Sequence, residues 1–248
     1  MVTGFNYQDF VEHFHALGIV SGQNVSCHAA LFSFGKCNAV DAVEALKSVV
    51  GDNATIAVPA YHFDERPFDI CSSSFSGIGK FSQVLFAEEG AVRSRCPVHS
   101  HIALGPKAKE LLANDPHYSF GPNSDFDWFL TNNFDLVLLG CSFNNGATFL
   151  HHIEALMQVP YRKWISSPKK YIYKGQVKLM DFKYFARIDA SLEENFDLLI
   201  EKVRDDINVV KTPFGSSYRI PLQRLTTLVK EFLQENPYSL VKKNKDNE

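Results

Sequence analysis

The chain lacks any run of about 18 apolar residues, the length a helix needs to cross a bilayer, so no membrane span is expected. Its opening, MVTGFNYQDFVEHFH, lacks the basic start and apolar core of a secretory leader. Cysteine is sparse: Cys27, Cys37, Cys71, Cys96 and Cys141 are scattered, and none forms a CxxC pair. An odd, dispersed set argues against a disulfide framework and for free thiols in a reducing compartment. A cytoplasmic location is therefore expected. Neither sign of charge dominates; a formal net charge of −3 gives no strong attraction to nucleic acid or to an anionic membrane. There is no GxxxxGK[ST] loop, which argues against a nucleotide hydrolase, and no HExxH metal motif. No internal repeat or low-complexity block is visible.

What is present is ordinary globular material: 248 residues, 45% hydrophobic and 21% charged, enough for one sizeable domain spanning 1–248. YQDFVEHFHAL (7–17) has helical apolar spacing and ends before Gly18. NVSCHAAL reads as a strand running into a loop. Residues 39–50 read as a helix with Asn38 as N-cap and Gly51 just past its end. ATIAVPAY is a short buried strand closed by Pro59. A helix–strand–helix–strand opening is the mark of an α/β layered fold. Further on, GKFSQVLFAEEG and PKAKELLAND read as helices, FDLVLLG as the clearest buried strand, and KKYIYKGQVKLMDF as a hairpin turning at Lys174–Gly175. Helices are expected over about 192–208 and 221–234, and VKKNKDNE as a frayed tail. The expected architecture is a layered α/β/α fold with a central mixed sheet and a C-terminal hairpin plus helices.

The stretch TFLHHIEALMQVPYR carries the most chemistry. With Thr148 as N-cap, His151 falls in the first helical turn, where the helix dipole disfavours the imidazolium. Glu154, three residues on, shares its face and can orient the ring as a general base. The same spacing is common on helix surfaces. A metal reading would need His99, His101, His151 and His152 to converge, although adjacent helical histidines do not readily share one ion. His28 ends an apolar strand, where α/β sheets present ligand-facing groups, or is a satisfied core histidine. Asp64 and Glu65 suit a cationic amine, or a solvated acidic loop. RSRCPVHSHIALGP gathers Arg93, Ser94, Cys96, His99, Ser100 and His101. Cys96 or Cys141 beside a histidine would make a nucleophile, while a buried inert thiol is the simpler reading of each.

In order and spacing these pieces resemble the aminoglycoside 3-N-acetyltransferase family, from about residue 7 to residue 240. CHAALFSFG is similar to the family's vHSSlsalG, VPAYHFDERPFD to its mPsw…D.EPFDp, and RSRCPVHSHIALGP to its RS.HPtHSvaAiGP. SFGPNSDF is similar to pFGegSP, and ATFLHHIEALMQVPY to NTsLHlAE…vPy. The resemblance implies acetyl transfer from acetyl-CoA to an amine by direct attack, with His151 and Glu154 as the catalytic pair and Asp64 holding the cationic acceptor. Glu65, His99 and Tyr61 fall on the acceptor side. His28, Ala29, Ala30 and Thr148 fall on the donor side, as do Arg93, Ser94 and Ser100. Gly35 and Lys36, before the 39–50 helix, offer a seat for the diphosphate. Backbone amides of the 29–36 loop, Thr148 and Ser100 are candidate oxyanion donors. No metal is expected.

The chain also departs from the pattern. The serine pair after the first histidine is Ala29–Ala30, the histidine before proline is Cys96, and the asparagine before Thr148 is Ala147. A remodelled donor or acceptor pocket is therefore expected, with an aminoglycoside or an amino sugar, including a nucleotide-linked one from surface-polysaccharide synthesis, as the acceptor. YRKW (161–164) and the lysines of the hairpin would supply cations for the latter. A non-catalytic CoA- or amino-sugar-binding protein and a thiol or metal hydrolase are the readings of other classes. The expected partners are a small-molecule amine acceptor and at most a second copy of the chain.

Overall fold

The computed structural model describes residues 4–75 and 77–244. Helix α1 (Tyr7–Ala16) starts at a capping box in which Asn6 accepts the amides of Gln8 and Asp9, and Asp9 accepts that of Asn6. Strand β1 (Val25–Ala29), helix α2 (Ala39–Val50) and strand β2 (Ile56–Pro59) lie inside the predicted stretches. Asn38 caps α2 through the Val40 amide, and Gly51 ends it at φ +70°. Next come α3 (Lys80–Phe86), β3 (Val92–Arg93), β4 (His101–Leu104), α4 (Asp125–Thr131) and β5 (Asp135–Leu139). The helix expected at PKAKELLAND is only a 3₁₀ stretch, Ala108–Ala113. Lys107 at its start gives no side-chain cap and Asn114 is already extended, so only a short connector forms.

After β5 the chain makes α5 (Phe143–Gly146) and α6 (Phe149–Met157). Strand β6 (Arg162–Ser166) precedes the predicted hairpin, β7 (Lys169–Tyr173) and β8 (Gln176–Met180). The hairpin turns through Lys174 and Gly175, both at positive φ. Strand β9 (Lys183–Arg187) pairs with β6. The helix expected over 192–208 is mostly absent. Leu192–Glu194 is strand β10, and the only α-helical turn there is α7 (Leu199–Lys202). Tertiary pairing overrides helical propensity at this point. Strands β11 (Asn208–Thr212) and β12 (Gly215–Pro221) form a hairpin turning at Pro213–Phe214, and helix α8 (Leu222–Glu235) follows. The expected frayed tail also needs correction: Val241–Lys243 is strand β13, antiparallel to β10. The end of that tail, 245–248, lies outside the described residues, as does Ser76 in the serine run.

Among the described residues, seven strands form one mixed sheet in the order β11–β12–β5–β1–β2–β4–β3, with β5, β1 and β2 parallel. Alternation along the strands divides the core into two layers. Val137 and Leu139 join Val25, Cys27 and Val58 under α1, α2 and α3. Leu136 and Leu138 join Ala57, Ile220 and the aromatic residues of α4 and α6 on the opposite face. The chain leaves β1 toward β2 on one side, while β5 pairs on its other side. The carboxyl ends of these three strands therefore open a crevice at a topological switch point, where open α/β sheets bind ligands.

Gly140 closes β5 at that crevice with φ +71°, and a Cβ there would lie 2.8 Å from Ser33 Cβ and 2.9 Å from the Ala30 carbonyl. Both the backbone conformation and the packing demand glycine. Gly140→Ala is expected to lower the unfolding free energy by roughly 2 kcal/mol or more. Urea denaturation checks this, and an unchanged midpoint would contradict it.

Candidate active site

Helix α6 brings His151 and Glu154 onto one face, and their side chains meet: His151 Nδ1 lies 2.6 Å from Glu154 Oε2. Thr148 sits at the start of the helix but does not cap it. Its backbone is already helical, and its side chain makes no capping bond. It turns instead toward the buried Tyr61 hydroxyl, without a hydrogen bond of full geometry. Glu154 is fully buried. Its Oε1 accepts from the Tyr161 hydroxyl at 2.7 Å, and the Arg162 guanidinium pairs with Oε2 at 2.8 Å. Burial pushes the Glu154 carboxyl up, but His151, Arg162 and Tyr161 together outweigh it and hold the group below the usual range. The ring of His151 is clamped between Phe120 and Phe196, both edge-on at centroid distances of 5.7 and 5.2 Å. Asn144 fixes Phe196 by accepting its amide at 2.6 Å.

His151 lines a cavity of about 480 Å³ together with Thr148, His28, Tyr61, His99 and Tyr184. Burial lowers His28 to about 3 and His99 well below its ordinary value, with neighbouring histidines adding to both effects. These two rings are uncharged walls. Among the described residues, His151 is the one imidazole of this cavity with a carboxylate partner. Burial also pushes the Tyr61 phenol up, so it stays a hydrogen-bond donor.

On one side the cavity continues through His28, Gly77, Ile78 and Asn145 into a groove of about 450 Å³ walled by Ala29, Ala30, Leu31, Phe32 and Lys80. Leu31, Phe32 and Lys80 carry that groove on to Gly35, Asn38 and the amino end of α2. On the other side, Phe63 and Tyr184 lead to a cavity of about 590 Å³ that holds Asp64 and Glu65. His151 therefore stands between two open arms.

Several expected site residues are engaged elsewhere. Arg93 is buried between the rings of Phe68 and Phe75, at 4.7 and 4.9 Å, and donates to Ser100 Oγ and to the carbonyls of Ala60, Asp69 and Ser72. It braces the loop after β2 and cannot hold a diphosphate. Ser94 Oγ donates to Asp125 and accepts the His101 amide. Ser100 Oγ donates to the Ala60 carbonyl, which removes it as an oxyanion donor. The amides of Ala30, Ser33 and Gly35 are likewise bonded within their own loop or to β5. Lys36 is exposed and lines none of these arms; Lys80, unremarked in the sequence, takes its place. Asp64 is remote from the dyad, in the far arm, and pairs with Arg66 at 2.6 Å and His62 at 3.3 Å. It does not line the cavity that holds His151.

The other chemistries lose their residues. His152 points into the aromatic core, where its Nδ1 accepts the Gly121 amide. His101 pairs with Asp125 at 3.0 Å. The four histidines therefore do not converge, and among the described residues no group of three or more His, Cys, Asp or Glu is placed to hold a metal. Burial pushes Cys96 and Cys141 up to about 12, far from a reactive thiolate. No helix of the described residues is long and apolar enough to cross a membrane. Tyr161 and Arg162, within the YRKW stretch expected to supply cations beside the acceptor, turn inward instead to Glu154. The only signal was their fixed distance from Glu154, just past the helix end.

Comparison with known proteins adds a second line. The family described as aminoglycoside 3-N-acetyltransferase matches residues 27–234. An aminoglycoside N(3)-acetyltransferase III from Salmonella sp is 29% identical over 180 residues, 62% of this chain and 62% of that protein. The match thus spans under two thirds of that relative's length. Two solved structures share the fold. One, of AAC-IIIb with CoASH, has a TM-score of 0.84 at 20% identity over 94% of this chain and 97% of that one. The other, AAC-VIa bound to sisomicin, has a TM-score of 0.81 at 18% identity over 94% and 98%.

The Glu154 carboxyl is held low in the folded chain, so its stabilising contribution is present above its unfolded value and lost as pH falls through the lower folded value. Denaturant unfolding from pH 7 down through the usual carboxyl range should show an acid-side loss of stability that is shallower in Glu154→Gln. Parallel profiles would contradict this assignment.

Proposed function

The chain belongs to the aminoglycoside 3-N-acetyltransferase family, and from that premise we propose that it transfers an acetyl group from acetyl-CoA to the amine of an aminoglycoside or amino sugar, with His151 as general base. The observation that carries the reading is the anchored imidazole between two arms. A carboxylate on Nδ1 places the ring proton there and leaves the Nε2 lone pair for the substrate. An ammonium is no nucleophile; His151 takes its proton, and Glu154 steadies the resulting imidazolium. A base so placed contributes typically ~10²–10⁴-fold.

The donor fits the arm that runs to α2. Its inner walls, Ala29, Ala30, Leu31 and Phe32, are small or apolar and suit a pantetheine chain. Its outer end offers the Lys80 ammonium and the start of a 12-residue helix, a seat for phosphate. When bound there, acetyl-CoA supplies an activated acyl carbon. The Thr148 hydroxyl, on the wall beside His151, is the donor available to the oxygen that gains charge. The amine acceptor enters from the arm that holds Asp64. The relative solved with CoASH and the one solved with sisomicin support this pairing of substrates. A non-catalytic binding role gives no reason to bury Glu154 beneath His151 with two further partners.

Release of free thiol from acetyl-CoA in the presence of an amine acceptor is the direct test. His151→Ala should lower kcat by at least ~10²-fold while leaving the fold intact. Near-normal turnover would remove His151 from the mechanism. Lys80→Ala should raise the KM for acetyl-CoA several-fold with little change in kcat, the pattern of lost uniform binding. An unchanged KM would move the phosphate seat elsewhere.

A further inference from the structure

The geometry points to an acceptor that carries an anionic group beside its amine, rather than to a polycation. This deepens the acetyltransferase reading and rests on it. The acceptor arm holds two carboxylates, Asp64 and Glu65, and three permanent cations, Arg66, Lys169 and Lys170. Asp64 is already matched: Arg66 Nη2 lies 2.6 Å from one of its oxygens and His62 Nε2 lies 3.3 Å from the other. Arg66 and then His62 hold its carboxyl below the usual range, so it stays charged but is not free. Among the described residues, neither Lys169 nor Lys170 has a carboxylate within ion-pair distance. Glu65 is thus the one unmatched carboxylate lining this arm, and it shares the arm with two unmatched ammonium groups. An acceptor with several ammonium groups would meet more repulsion than attraction here. An amine with one neighbouring anion would find Glu65 for the first and the lysines for the second.

The strand that carries the lysines is joined through its backbone to the loop that carries the carboxylates. The Phe68 amide donates to the Lys170 carbonyl at 2.9 Å, and the Ile172 amide donates to the Phe68 carbonyl at 2.8 Å. Strand β7 is thereby tied to the loop that carries Asp64, Glu65 and Arg66. Both sets of charges therefore line one continuous wall of the arm. Phosphate and carboxylate share the required chemistry. A simple sugar phosphate and a nucleotide-linked amino sugar are the sources to separate.

The test is thiol release with a matched acceptor set: glucosamine, glucosamine 6-phosphate, a uridine-diphosphate-linked amino sugar and an aminoglycoside. At least one anionic acceptor should exceed both glucosamine and the aminoglycoside in kcat/KM by roughly 10-fold, the scale of a charge-assisted contact. Which anionic acceptor leads identifies the source. In Lys169→Ala/Lys170→Ala the ratio of anionic to uncharged acceptor should fall by a similar factor. Arg66→Ala, which releases Asp64, should shift the ratio toward the aminoglycoside. Preference for the aminoglycoside in the unaltered protein, or a ratio indifferent to the lysines, overturns the inference while leaving acetyl transfer standing. Absence of turnover with every acceptor, despite calorimetric binding of acetyl-CoA, overturns both.

Discussion

A carboxylate removed from water must have its oxygens occupied, or it gives up its charge. Glu154 meets that condition from three directions: His151, Tyr161 and Arg162. The arrangement is consequential because only one of the three partners, His151, borders the cavity. Tyr161 and Arg162 hold the carboxylate charged and still, and Arg162 is itself tied to Glu194 on β10 at 2.9 Å. The orientation of His151 is thus inherited from strands far along the chain. Phe120 and Phe196 then limit the ring to one plane of approach.

The same economy of position explains the two arms. Parallel strands β1, β2 and β5 end together, and the loops that leave them part to either side. His28 and Tyr61 come from two of those strand ends, and α6 follows the third after a short connection. The two arms therefore meet at the switch point without needing a separate domain. Glycines at 140 and 146 let the backbone approach closely there; a Cβ on Gly146 would lie 2.8 Å from Cys141 Sγ. Where the family pattern has serines, Ala29 and Ala30 leave an apolar wall on the arm that runs to α2. Polarity in the other arm comes instead from the loop after β2 and from β7.

Local pattern made a good part of this legible. Period-3.6 spacing and caps found α1 and α2, apolar runs found β2 and β5, and Lys174–Gly175 marked the hairpin. The His151–Glu154 pair follows from helix geometry alone, since residues three apart share a face. Elements whose identity depends on a distant partner were not legible. Leu192–Glu194 becomes a strand because Val241–Lys243 lies beside it, and β12 joins the sheet through β5. No local window contains either partner.

The sequence by itself determined the opening helix–strand–helix–strand order, the helical face that joins His151 to Glu154 and the family to which the chain belongs, because each is written in neighbouring residues or ordered motifs. Only the tertiary structure decided which polar groups remain free for chemistry. Arg93, Ser94 and Ser100 are turned inward by hydrogen bonds to loops that the sequence cannot place, while Lys80 is carried to the groove by the packing of α3. Burial and partnership are properties of the assembled chain. They decide whether a serine, an arginine or a carboxylate meets a substrate or another part of the protein.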